Sequence, residues 1–185
     1  MKKLAAVVAG ALLAFVVGAS PAVSHDCPNQ EQRLEKLGTI SVPATGKFIA
    51  SDHFTTSNKA VKIAWLGDNF QQHFLTKVEE PQAETELRIS RRKKTSLDAP
   101  ILAELGSAAE TTLASIWELL KKQPNGEGEA LVTNGYANIF YVCDSKGVLW
   151  TVFVLWRSAG WDVSDSSVES PLGWRGGCRV FSSNS

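Results

Sequence analysis

Residues 148–156, VLWTVFVLW, constrain the fold more than any other stretch of the chain. At the strand period of two, Val148, Trp150, Val152, Val154 and Trp156 share one face, and Leu149, Phe153 and Leu155 the other. A strand that is apolar on both faces needs cover on both, which places it inside a sheet with a layer packed on each side. Turn signals bracket it, DSKG at 144–147 and RSAG at 157–160, and each joins it to a further extended run. Asn134-Gly135 between apolar residues is the strongest short-range hairpin signal, and CRVF at 178–181 offers a last strand.

The earlier half supplies more strands and the helices. Extended segments at 38–50 are broken at Pro43 and Gly46. In residues 60–66, Val61, Ile63 and Trp65 alternate onto one face, and residues 84–90, ETELRIS, read as another strand. Ser107 and Glu110 form a capping box ahead of Ala109, Leu113, Ile116 and Leu120 at helical spacing, with Trp117 beside them. Shorter helices are signalled at Asp68, where Phe70 and Phe74 stack one turn apart, and at Asp98, closed by Gly106. The expected fold class is α+β: an antiparallel β-meander sheet with one main amphipathic helix and one or two short helices packed on it.

The start of the chain points to export. Lys2 and Lys3 precede an uninterrupted apolar run at 4–19, with small residues at Ala19, Ala22 and Ser24 as cleavage points. This is the layout of a bacterial-style secretory signal peptide, and the run is shorter than the ~20 residues of a spanning helix. The expected division is a cleaved leader at 1–24 and one compact domain at 25–185, periplasmic or extracellular, with no transmembrane span after cleavage. Without Lys2 and Lys3, 17 basic residues face 19 acidic ones, a charge near −2. A chain so balanced has no global field to recruit nucleic acid or a membrane, so any electrostatic partner meets a local patch.

Cys27, Cys143 and Cys178 remain after cleavage, in a compartment where disulfides persist. One bridge is expected, Cys143 to Cys178, because both lie in the strand-rich C-terminal third; Cys27 bonded to either is the alternative. No two cysteines have the spacing of a redox or zinc motif, so neither a metal site nor a cofactor is expected.

Catalytic signatures are sparse. The histidines are His25, His53 and His73, and a hydrolase would pair His53 or His73 with a carboxylate such as Asp52 or Asp68. No nucleophile-elbow motif accompanies them. The charge pattern is more specific: EEPQAETE at 79–86 is followed by RISRRKK at 88–94. Arg91, Arg92, Lys93 and Lys94 therefore read as an electrostatic guide for an anionic partner, or as a solvated sheet edge that blocks edge pairing. Trp65, Trp117, Trp150 and Trp156 read as core by pattern. Trp161 and Trp174 border turns, with Arg157 and Arg175 nearby, and are the expected anchors together with Arg175. The functional expectation is a non-catalytic binding module for a protein or envelope-glycan partner; a small secreted hydrolase and a structural envelope protein are the alternatives.

Overall fold

The computed structural model describes residues 32–128 and 130–184; the expected leader and Cys27 lie outside them. The strand that is apolar on both faces is β7 (Leu149–Arg157), and it is interior. Before it come β1 (Leu34–Val42), β3 (Ile63–Leu66), β5 (Thr85–Arg92) and β6 (Asn138–Cys143); after it, β8 (Gly160–Ser167) and β9 (Arg179–Ser183). These seven form one sheet in the order β1-β5-β9-β6-β7-β8-β3. A separate two-stranded ribbon pairs β2 (Phe48–Ile49) with β4 (Val78–Glu79).

The fold is α+β, but its sheet is mixed, and the expected meander is limited to β6, β7 and β8. Each of their turns has a local cause. At 144–147, Asp144 Oδ1 accepts from the N–H groups of Lys146 and Val148, and Gly147 takes φ +80°. At the next turn Arg157 pairs with Gly160. A Cβ on Gly160 would lie 2.5 Å from the Lys62 carbonyl oxygen, so only glycine lets this turn meet the start of β3. Elsewhere β9 runs parallel to β6, and β3 runs parallel to β8. Parallel neighbours need long connections, which local alternation and turn residues do not announce. The Asn134-Gly135 hairpin is also absent. Gly135 bends the chain at φ +88°, but the segment before it meets Asn138 through a side chain and not through a strand ladder. The Asn138 side chain accepts from the Val132 N–H at 2.8 Å and donates to the Val132 carbonyl at 3.0 Å.

One face of the sheet carries Val152, Val154, Trp161 and Val163 beneath α2 (Asp68–Phe74) and α4 (Leu113–Lys122). Leu113, Ile116, Leu119 and Leu120 of α4 are fully buried, each such side chain stabilising by roughly 1.5–3 kcal/mol. The other face carries Ile139, Tyr141 and Val180 against Ile101 of α3 (Asp98–Leu105). Two further short helical segments are α1 (Ala50–His53) and a 3₁₀ turn (Gly106–Ala108).

The main helix starts later than its capping box predicts. Glu110 bridges to Tyr141, and the Thr111 N–H donates to the Tyr141 carbonyl, so this segment is drawn onto the sheet and stays extended. Thr112 then caps α4 by accepting from the Ser115 N–H. A second cap comes from far away in sequence. The buried Glu79 carboxylate accepts from the Leu113 and Ala114 N–H groups at 3.0 and 2.9 Å. Lys77 pairs with Glu79 at 3.0 Å and donates to the Cys143 carbonyl, tying β4, α4 and β6 together. No helix among the described residues is long and apolar enough to cross a membrane.

Glu79→Ala would leave two helix N–H groups without their acceptor and the Lys77 ammonium with the Cys143 carbonyl but no counter-charge. We expect a loss of roughly 3–5 kcal/mol in urea denaturation, with Glu79→Gln intermediate. An unchanged midpoint for the alanine variant would show that α4 is held without this carboxylate.

Candidate functional site

The structure separates the expected anchors. Trp161 is fully buried, which corrects its reading as a surface anchor. It pairs across the hairpin with Trp156, ring edge to face at 5.2 Å, and its Nε1–H donates to the Gln123 carbonyl at 2.8 Å. Both indoles lie under the end of α4, where the indole N–H satisfies a helix-terminal carbonyl.

Trp174 is partly buried. Its ring packs on Phe153 at 4.9 Å, and its Nε1–H donates to Asp98 Oδ2 at 3.0 Å. Asp98 is itself fully buried and also accepts from the Tyr141 hydroxyl at 2.7 Å. Burial, reinforced by Asp98, pushes the Tyr141 phenol above its ordinary range. Arg92, expected in the electrostatic guide, is buried beside this pair and donates to the carbonyls of Ser96 and Leu97. Strand alternation accounts for the correction: in β5, Arg92 points into the sheet face that Arg91 avoids. Burial lowers the Arg92 guanidinium's pKa against the opposing pull of Tyr141 and Asp98.

The remaining basic residues stay at the surface. Arg91 forms an exposed pair with Glu35 at 2.7 Å, and Lys93 donates to Gln32. Ser96 and Trp174 exchange backbone hydrogen bonds, and Gly176 abuts the Lys93 and Lys94 backbone. Arg175, Lys93 and Lys94 are thereby brought onto two adjoining loops, with Leu172, 77% exposed, close by in sequence.

The expected Cys143–Cys178 bridge is absent; both thiols are free. The parallel register sets Asn138 beside Arg179, so Cys178 lies level with the start of β6 and Cys143 at its far end. At ~3.3 Å per residue the two are roughly 20 Å apart, where a bridge needs Cα atoms about 4.4–6.8 Å apart. Burial pushes both thiols up in pKa, and Glu110 adds to this at Cys143. Both are poor nucleophiles at neutral pH.

His73 finds a partner other than the expected carboxylates, while His53 feels its expected neighbour Asp52 through charge alone. His73 donates from Nδ1 to Asp165 Oδ2 at 2.7 Å and stacks on Trp150 at 3.8 Å; Asp68 is not its partner. Burial raises the pKa of Asp165 against the opposing pull of His73. His53 stacks on Phe48 at 4.3 Å, and burial lowers its pKa. No three His, Cys, Asp or Glu side chains among the described residues are grouped to hold a metal ion.

The most exposed tryptophan is Trp65, read from its sequence pattern as core. It is 49% exposed. The cause is a β-bulge. Ile63 pairs with Trp161 and Trp65 with Asp162, so Ala64 is an extra residue and Trp65 leaves the face of Ile63. Gly67 gives the ring its place: a Cβ there would lie 3.2 Å from Trp65 Cη2 and clash with Ser164. The indole borders a surface cleft of about 480 Å³ that reaches the buried Phe54 and carries Thr55, Thr56, Asp68 and Gln71. Gln71 is steadied by donating from Nε2 to the Leu66 carbonyl. Volume and lining fall within the ~300–1,000 Å³ range of small-molecule sites. No family model, curated protein or solved structure matches the chain. The local geometry is therefore the basis for assigning a role to this cleft. The signal that could have located it was the shortness of the strand ahead of Gly67, which leaves little ladder to enforce strict alternation.

Trp174→Ala removes ring packing and one of the two donors to buried Asp98, so it is expected to cost roughly 2–4 kcal/mol. A melting temperature like that of the parent would return Trp174 to the surface. Peptide mapping after alkylation in non-reducing denaturant should recover no peptide joining Cys143 to Cys178. Finding one would overturn the parallel register of β6 and β9.

Proposed function

We propose that the protein is an exported, non-catalytic binding module that holds an envelope glycan in the Trp65 cleft. The observation that carries this reading is the exposed indole beside a polar-lined depression. The apolar C–H face of a pyranose stacks on an aromatic ring, whose face is electron-rich. Its hydroxyl groups need both donors and acceptors, and Thr55, Thr56, Asp68 and Gln71 offer both around the same cleft. Among the residues lining the cleft there is one carboxylate, Asp68. Two-acid glycoside hydrolysis needs a facing pair, so this lining favours holding a sugar over cleaving it. The apolar run at 4–19, read as a secretory leader, is what favours an envelope or extracellular setting, where such glycans are met.

A second reading, an acidic protein partner, rests on the adjoining loops that carry Lys93, Lys94 and Arg175. Charge there would steer association more than it would set affinity.

The test is a titration of the mature chain with neutral hexose and N-acetylhexosamine oligosaccharides, followed by NMR. Saturable shifts are expected at Thr55, Thr56, Trp65, Asp68 and Gln71. Trp65→Ala should weaken binding about tenfold or more, while stability changes by less than about 1 kcal/mol. If no oligosaccharide moves these signals, or Trp65→Ala binds like the parent, the glycan reading fails.

A further inference from the structure

A second β-bulge builds a different kind of pocket at the other edge of the sheet. In β1, Lys36 pairs with Ser90 and Gly38 with Ile89, so Leu37 is the extra residue. Lys36 therefore lies on the same face as Ser90, and alternation along β5 adds Arg88 to that face. With Gln32 and the end of α3 at Glu104, these side chains line a cavity of about 180 Å³.

The cavity lining carries two cationic side chains, Lys36 and Arg88, and one carboxylate, Glu104. The Glu104 carboxylate is engaged by the N–H groups of Arg33 and Leu34, at 2.8 and 3.2 Å. Arg88 Nε is buried and has no hydrogen-bond partner among the described residues. A guanidinium and an ammonium lining one small cavity together suit an anionic group with several acceptor oxygens. Ser90, 3% exposed, adds a hydroxyl to the lining.

We propose that this cavity is an oxyanion site that takes one phosphate or phosphomonoester group. Lys36 supplies a point charge and Arg88 a planar set of donors, the combination suited to a compact group with several acceptor oxygens. The volume admits a single such group, and the two cations, Lys36 and Arg88, outnumber the one carboxylate, Glu104, whose oxygens are turned to the Arg33 and Leu34 N–H groups. The site lies on β1 and β5, at the opposite edge of the sheet from Trp65 on β3, and is independent of the glycan reading.

The experiment is calorimetric titration of the mature chain with inorganic phosphate at low ionic strength, against a chloride-matched control. Glycerol 3-phosphate and vesicles containing phosphatidic acid form two further arms. Saturable one-to-one phosphate binding is expected, weakening as salt rises. Lys36→Met and Arg88→Met should each weaken it about tenfold or more, whereas Trp65→Ala should not. Lys36 is exposed, so its variant reports even if the Arg88 variant folds poorly. Tighter binding of glycerol 3-phosphate marks a free phosphomonoester as the natural ligand, and tighter binding of the vesicles marks a headgroup. Absence of saturable phosphate binding, or equal binding by the parent and Lys36→Met, overturns the proposal.

Discussion

The buried carboxylate of Glu79 holds the layers of this protein together. It receives two N–H groups at the start of α4 and the ammonium of Lys77, which in turn donates to the end of β6. A negative charge at a helix N-terminus complements the helix dipole, and shielding from water makes each of these charge-assisted bonds stronger. The arrangement sets α4 against β6 and β7 and so fixes the layer that covers Trp156 and Trp161. It also seats the β2–β4 ribbon, from which the chain runs into α1 and the loop bearing Thr55 and Thr56.

Both candidate sites arise where the sheet departs from regular pairing. One extra residue at Ala64 turns Trp65 out of the core, and one at Leu37 sets the register that aligns Lys36 with Ser90. A bulge re-aims side chains at little cost when it lies at a sheet edge, where one side of the strand has no ladder to disturb. β1 and β3 are the two edges of this sheet. The interior strands, by contrast, are closely specified. β7 has a hairpin partner on each side and an apolar layer on each face, and it carries no bulge in either pairing.

Much of the fold was legible. The interior position of β7, its two turns, the amphipathic character of α4 and the short helices at Asp68 and Asp98 all follow from periodicity and turn chemistry within a few residues. The parallel pairings of β9 with β6 and β3 with β8 did not, because nothing local encodes which distant strand fills a vacant edge. That omission carried the cysteine error with it, since Cys143 and Cys178 share the strand-rich C-terminal third but lie at opposite ends of the β6–β9 pair. The site residues were harder still. Trp161 and Arg92 looked exposed by their neighbours in sequence and are buried by their neighbours in space, while Trp65 did the reverse.

The sequence alone determined the periodic elements, their order and the α+β class, because backbone hydrogen bonding and side-chain alternation act over short range. It also placed the tight turns, where glycine and aspartate meet a local steric need. Only the tertiary structure decided the mixed sheet, the unpaired thiols, the distant Glu79 cap on α4 and the choice of Trp65 as the exposed indole. Each of these depends on register between segments far apart in the chain, and a shift of one residue there exchanges the buried face for the exposed one.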